Sequence, residues 1–260
     1  SNTQTYTYEG FRAHIAGVGG LGFRTMTITD DATNIVTEST YLQNWQTHHQ
    51  GMLERSRTIS PGDIVLKDQQ VTWAVSFRPG GGTDGVAQCF RYADTSTTTS
   101  RDLNGVLMST VTETTTYDDY GYPTTLVAST AGDGKTFTKT TDNVYTHDAA
   151  SWILGRLNSA SVTHAATGQA NITRTSSFTY EPTGEIATET VNSASGLTVT
   201  KTNAYNGFGA VTSVTETWGE PQDDGIVAAS RTTSYTYDAR VRHPLTETNP
   251  LGHSEPRTCD

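Results

Sequence analysis

The histidines and a glycine-rich stretch are the residues of this 260-residue chain best suited to chemistry. His48 and His49 are adjacent, and with His14, His147 or His164 they offer imidazoles to a metal. Adjacent residues on a strand point to opposite faces, which makes a shared ion awkward there. No His-Glu-x-x-His, Cys-x-x-Cys or aspartate-rich calcium loop accompanies them. Surface histidines and no bound metal are expected. Gly17-Val18-Gly19-Gly20-Leu21-Gly22 matches the dinucleotide fingerprint, but that fingerprint must open a helix. Immediately after it, Phe23, Thr25, Thr27 and Thr29 alternate with Arg24, Met26 and Ile28, the period of a strand. Gly134-Lys135-Thr136 resembles the end of a phosphate-binding loop, yet the glycine required five residues before Gly134 is Ser129. A hairpin accounts for those residues better, and no cofactor is expected. There is no Gly-x-Ser-x-Gly elbow, and Cys89 has no catalytic setting. A glycosidase-like carboxylate pair is defined by separation in space and is left open by the sequence. Most aspartates fall at turn positions, where a structural role suffices, so a non-enzyme is expected. Asn171-Ile172-Thr173 is a glycosylation sequon by pattern only.

One chemical pattern is not random. Tyr235 and Tyr237 share a strand face, Asp238 turns the chain, a second strand comes next, and Asn249-Pro250-Leu251-Gly252 breaks it. Looser copies surround Tyr117-Asp118 with Gly121, Tyr145, Tyr180 with Gly184, and Tyr205 with Gly207; Tyr6 and Tyr8 hint at another. Positions 117, 145, 180, 205 and 237 lie 28, 35, 25 and 32 residues apart. A period of roughly 20–50 residues marks a repeat array, in which each unit buries its face only against its neighbours. Aromatic rings at this spacing fit either of two uses. They can stack on sugars, or they can form a ladder over neighbouring strands with hydroxyls bonding turn backbone. The ladder is the favoured reading.

These residues resemble the tyrosine–aspartate (YD) repeats of the Rhs family, which also occur in the B components of Tc insecticidal toxins and in teneurins. Tyr117-Asp118-Asp119-Tyr120-Gly121-Tyr122-Pro123 resembles the repeat core. Trp152-Ile153-Leu154-Gly155-Arg156-Leu157 resembles a signature of the toxin B components. Gly10-Phe11-Arg12, with 20–23 and Asp30, resembles the segment that opens that region. The resemblance implies a hollow β-shell enclosing a C-terminal toxin, with the rest of the shell and that toxin as partners. It also implies a bacterial source and secretion or cell-surface display. Asn249-Pro250-Leu251-Gly252 differs from the family's self-cleaving Asp-Pro-x-Gly by its asparagine, so autoproteolysis is not expected. The rival reading is an extracellular β-repeat module that binds carbohydrate or a partner protein.

The elements that must position these residues are strands. Threonine supplies 50 of the 260 residues, and threonine, valine and tyrosine suit a pleated, half-buried surface. Only 33% of the chain is hydrophobic, which fits sheets with wet faces better than a thick core. The expected class is an all-β antiparallel hairpin array with few or no helices. It forms one domain over 1–260, with an internal break near the glycine-rich 78–85. Val71, Trp73, Val75 and Phe77 mark one strand face, and two strands joined by a loop are preferred for 35–57. Tyr41, Leu42, Trp45, Met52 and Leu53 could instead mark a helical face, and after the first third of the chain a helical turn is plausible only over 149–157. Asn104-Gly105, Asp133-Gly134, Asn206-Gly207 and Asp224-Gly225 read as tight turns with positive φ.

The net charge of −10 argues against nucleic acid and against an anionic membrane surface. No run of 18 apolar residues is present to span a membrane as a helix. Two cysteines, Cys89 and Cys259, do not make a disulfide framework and leave the compartment open. The chain starts at Ser1 without methionine, and its last repeat carries no cap, so more units of the same kind are expected beyond Asp260.

Overall fold

The computed structural model describes residues 3–15, 19–44, 49–77, 89–192, 197–222, 225–241 and 243–256. Among them are strands and no helix, as the threonine-rich alternation predicts. The chain divides into two units, Ser1–Asp142 with Thr163–Asn171, and Asn143–Val162 with Ile172–Asp260. The segment 78–85, where a break is expected from sequence, lies outside the described residues.

The first unit carries β1 (Gln4–Glu9), β2 (Arg12–His14), β3 (Gly19–Gly22), β4 (Thr25–Asp30), β5 (Val36–Tyr41), β6 (Leu53–Ile59) and β7 (Val65–Phe77). It continues with β8 (Cys89–Arg101), β9 (Leu107–Tyr117), β10 (Pro123–Gly132) and the first part of β11 (Lys135–Asp148). β1 pairs with β4, and from β4 to β11 each strand pairs antiparallel with the next. β2 and β3 form a separate two-stranded hairpin. Gly17 and Val18 of the dinucleotide-like stretch lie outside the described residues, and its end is strand β3, followed by β4. Val71, Trp73 and Val75 alternate along β7, and the Trp73 indole N–H donates to the Leu53 carbonyl at 2.7 Å.

The second unit takes the rest of β11 and most of β12 (Ile153–Ala166). It continues through β13 (Ile172–Tyr180), β14 (Ile186–Asn192), β15 (Thr198–Tyr205), β16 (Val211–Gln222), β17 (Gly225–Tyr237), β18 (Pro244–Thr248) and β19 (Ser254–Pro256). From β13 to β19 each strand again pairs antiparallel with the next.

No apolar side chain is fully buried among the described residues; the buried ones are Ser39 and Ser60. Each unit is therefore held by its ladder and by cross-strand side-chain pairs rather than by a core. Threonine suits this arrangement. Its branched carbon stiffens the strand, and its hydroxyl bonds the threonine opposite, as in Thr179–Thr188 at 2.6 Å and Thr215–Thr232 at 2.9 Å. Arg55 of β6 adds an ion pair to Asp68 of β7 at 2.6 Å, and that pairing, with Arg55 first among its causes, holds the Asp68 carboxyl below the usual range.

Two expectations need correction. The helical turn at 149–157 is absent. The Asp148 carboxylate accepts the Ala150 and Ser151 N–H groups, Trp152 takes a left-handed φ of 54°, and Ile153 begins β12. Asn104-Gly105 and Asn206-Gly207 are not two-residue turns either. Positive φ falls at Gly105 and Gly209, while Gly207 and Asn104 do not have it, because each loop is led by an Asx residue three positions before the left-handed glycine. Asp133-Gly134 does form the two-residue hairpin, with φ of 50° and 69°. Asp224 lies outside the described residues.

Candidate functional site

The residues singled out by sequence gather at the hairpin ends, and a single turn design explains most of them. In it, residue i donates its N–H to the carbonyl of i+4, and residue i+3 donates to the carbonyl of i. It occurs at Ser60–Ile64, Asp102–Val106, Asp118–Tyr122, Glu181–Glu185, Asn206–Ala210 and Asn249–His253. This is a three-residue hairpin loop whose last residue is left-handed. The left-handed place is held by Gly105, Gly121, Gly184, Gly209 and Gly252, and by Asp63 in the first turn. Where residue i is Asp or Asn, its side-chain oxygen also takes the N–H groups of i+2 and i+4. Asp118 does so to Tyr120 and Tyr122 at 2.9 Å, and Asn206 to Phe208 and Ala210 at 2.9 and 3.1 Å. The aspartate of the tyrosine–aspartate pair is thus committed to the backbone. Asp238 adopts a longer version, accepting from the His243 N–H at 3.1 Å.

The tyrosines reach back to an earlier strand. The Tyr180 hydroxyl donates to the Leu157 carbonyl at 2.9 Å, Tyr205 to Ile186 at 2.8 Å and Tyr237 to Val211 at 2.8 Å. Ile186 and Val211 are the first residues of the strands after the Glu181 and Asn206 turns, so the Tyr205 and Tyr237 rings strap their strands to the exit of a preceding turn, while Tyr180 reaches into β12. Burial pushes the Tyr205 hydroxyl's pKa up, which keeps it a donor. Tyr117 packs instead in a ring cluster with Phe90 and Tyr92, at 5.5 and 4.5 Å between centroids, and Gly121 sits under Phe90.

Arg156 lies over the Tyr180 ring, 5.3 Å from its centroid, beside Gly184. The Glu185 carboxyl is held below its usual range by the Thr183 hydroxyl first, and by the Arg156 charge among smaller causes. The Gly155 N–H donates to His147 Nδ1 at 3.1 Å, and the Tyr145 ring lies 6.4 Å from that imidazole. Tyr235 sits opposite Glu247. The structure thus brings Gly155, Tyr145 and His147 together, and likewise Arg156, Tyr180 and Gly184. Sequence reasoning missed Phe90 and Tyr92, and it set the left-handed place of the Asn206 turn at Gly207. An Asx residue with glycine three places on is the signal that finds Gly209 instead. His48, Cys259 and the Cys89 side chain lie outside the described residues. Among the described residues no group of three or more His, Cys, Asp or Glu is placed to hold a metal.

No family model matches the chain, and no curated protein matches it by sequence. Solved structures do match. They include crystal structures of TcdB2-TccC3-TEV and of TcdB2-TccC3 without its hypervariable C-terminal region, each at TM-score 0.64 and 10% identity over 99% of this chain. A TcdB2-TccC3-Cdc42 structure matches at TM-score 0.63 and 10% identity, again over 99% of this chain. These are Tc toxin structures that contain the Rhs/YD shell. In fold, this chain resembles a segment of the β-shell in those structures. The likeness is one of fold, and the chain spans 21% of the length of the solved chains it matches.

Two features of the turns make direct predictions. Val241 occupies a left-handed place at φ 54° in the Asp238 turn, where its N–H bonds the Asp238 carbonyl. A left-handed β-branched residue costs about 1–2 kcal/mol, and glycine there loses part of that gain to chain entropy. Val241→Gly should therefore raise stability by about 1 kcal/mol, read as a higher urea midpoint at unchanged slope.

The second concerns acid. Asp30 and Asp148 are held below the ordinary carboxyl range, first by backbone N–H bonds from Thr33 and Ser151. A depressed folded pKa gives stability that is complete above the unfolded value and is lost as pH falls through the folded one. Melting temperature should be flat from neutrality down to about pH 5 and fall below about pH 4. A variant with both Asp30→Asn and Asp148→Asn should lose less over that acid range.

Proposed function

We propose that this chain is a non-catalytic wall segment of an Rhs/YD-repeat shell, and that the shell encloses and delivers a C-terminal toxin from a bacterial cell to its surroundings. The observation that carries the reading is the likeness of fold to TcdB2-TccC3 along 99% of the chain. The turn geometry supports it. The aspartates and tyrosines that a catalytic or sugar-binding reading would need are bonded to main chain at Asp118, Tyr180, Tyr205 and Tyr237. Its partners are then the remaining shell wall and the enclosed segment.

The test is limited proteolysis of the full-length parent polypeptide against its C-terminal segment produced alone. The enclosed segment should survive until the wall itself is denatured. Cleavage of that segment at the same rate in both preparations overturns the proposal.

A further inference from the structure

The second unit's sheet has two chemically different faces. Register aligns Thr179, Thr188, Thr202, Thr215 and Thr232 in one row across five strands. The next row is Ser177, Thr190, Thr200, Thr217 and Ser230. Beyond them the same face continues with Ser213, Ser234, Thr248 and Ser254. Pairs such as Thr179–Thr188, Thr236–Thr246 and Thr248–Ser254 bond to one another at 2.6–2.7 Å. The other face holds the ladder Glu189, Lys201, Glu216 and Arg231, alternating in sign across four strands. Arg231 bonds Glu216 at 2.5 Å and lies over the Trp218 ring at 5.7 Å. Arg174, Glu247 and Glu255 fall on that charged face too. Every charge on β13–β19 whose side chain is described therefore projects from one side. Independent placement of seven charges would rarely do this.

We infer that the hydroxyl face lines the interior of the shell against the passenger polypeptide, and that the charged face meets outside solvent. The inference rests on the shell reading proposed above. An enclosed passenger presents charges and apolar side chains at positions the wall is not shaped to match. A wall that must hold it and then release it has to give those groups no ion-pair partner and no large apolar patch. A carpet of threonine and serine does this. Its side chains are short, it bears no charge, and its hydroxyls already bond one another. The opposite face sets its alternating charges among Val191, Val199, Val214 and Trp218, with Arg231 lying over the Trp218 ring, and interspersed charge of that kind keeps an exposed surface soluble.

Cysteine labelling of the full-length parent, with Cys89 and Cys259 replaced by serine and with a cysteine-free passenger, tests this. Thr202→Cys and Thr217→Cys report the hydroxyl face, and Lys201→Cys and Arg231→Cys report the charged one. The probe is a polymer-linked maleimide too large to enter a closed shell. When opening is fast, labelling tracks the population of opened molecules. The two hydroxyl-face cysteines should react at least about tenfold more slowly than the two charged-face ones, and all four should react alike in denaturant. The reverse order, with the passenger still protected from protease, overturns the sidedness and leaves the shell standing. Equal fast labelling, with the passenger cleaved freely, brings down the shell reading itself. Equal slow labelling overturns the inference, since the charged face would then be covered as well.

Discussion

Replacing Gly132 by alanine is expected to destabilise the protein by about 2–3 kcal/mol, the upper part of the range for overpacking. Gly132 ends β10, pairs with Lys135 across the Asp133-Gly134 hairpin, and lies beside the start of β9. A β-carbon there would sit 2.5 Å from the Met108 main-chain oxygen and 3.5 Å from the Ser109 Cα. Those obstacles are backbone, so no rotamer change relieves them, and β9 or the hairpin must move. Gly134, two residues on, is the control. Its φ is 69°, but nothing lies within 4 Å of the β-carbon it would carry. Gly134→Ala should cost only about 1 kcal/mol, the price of a left-handed alanine. Urea unfolding of both variants decides the matter. Equal midpoints for Gly132→Ala and the parent chain would show that β9 does not approach β10 as closely as described.

That pair of glycines also shows where the sequence was legible. Asp133-Gly134 is a local signal: both residues tolerate positive φ, and the flanking alternation fixes the register. Gly132 has no such mark, because its constraint comes from Met108, 24 residues earlier in the chain. The same division runs through the turns. The strand class was readable from threonine content and period-two patterning, since both act residue by residue. Asn206-Gly207 misled because the dipeptide favours a two-residue turn when taken alone. The three-residue loop won because Asn206 can take the Phe208 and Ala210 N–H groups on one side-chain oxygen, leaving Gly209 as the left-handed residue. The tyrosine period was visible, but its meaning was not. Whether a ring stacks on a sugar or straps a strand depends on which carbonyl stands before its hydroxyl, and Leu157, Ile186 and Val211 are 19 to 26 residues away from the rings they bond.

Gly184→Ala should cost about 2 kcal/mol, within the 1–3 kcal/mol typical of a residue held in a sparsely populated backbone region. Its φ of 111° lies beyond the left-handed well that Asp63 and Val241 occupy at 60° and 54° in related turns. Alanine could enter that well only by rotating the backbone, and the rotation would disturb the Gly184 N–H bond to the Glu181 carbonyl, now 2.9 Å. The new β-carbon would also stand 3.1 Å from Arg156 Nη2 and push the guanidinium from its place over Tyr180. Gly121→Ala offers the comparison. Its φ is 87°, and its nearest neighbour is the Phe90 ring at 3.5 Å, an ordinary contact, so about 1 kcal/mol is expected. Combining Gly184→Ala with Arg156→Ala separates the two causes. If the guanidinium contact matters, the double variant should lose less than the sum of the singles, since residues in contact do not add. Strict additivity would assign the whole cost to backbone. A Gly184→Ala midpoint equal to that of the parent chain would mean that the turn adopts alanine-compatible angles, and the left-handed design would then not hold at this repeat.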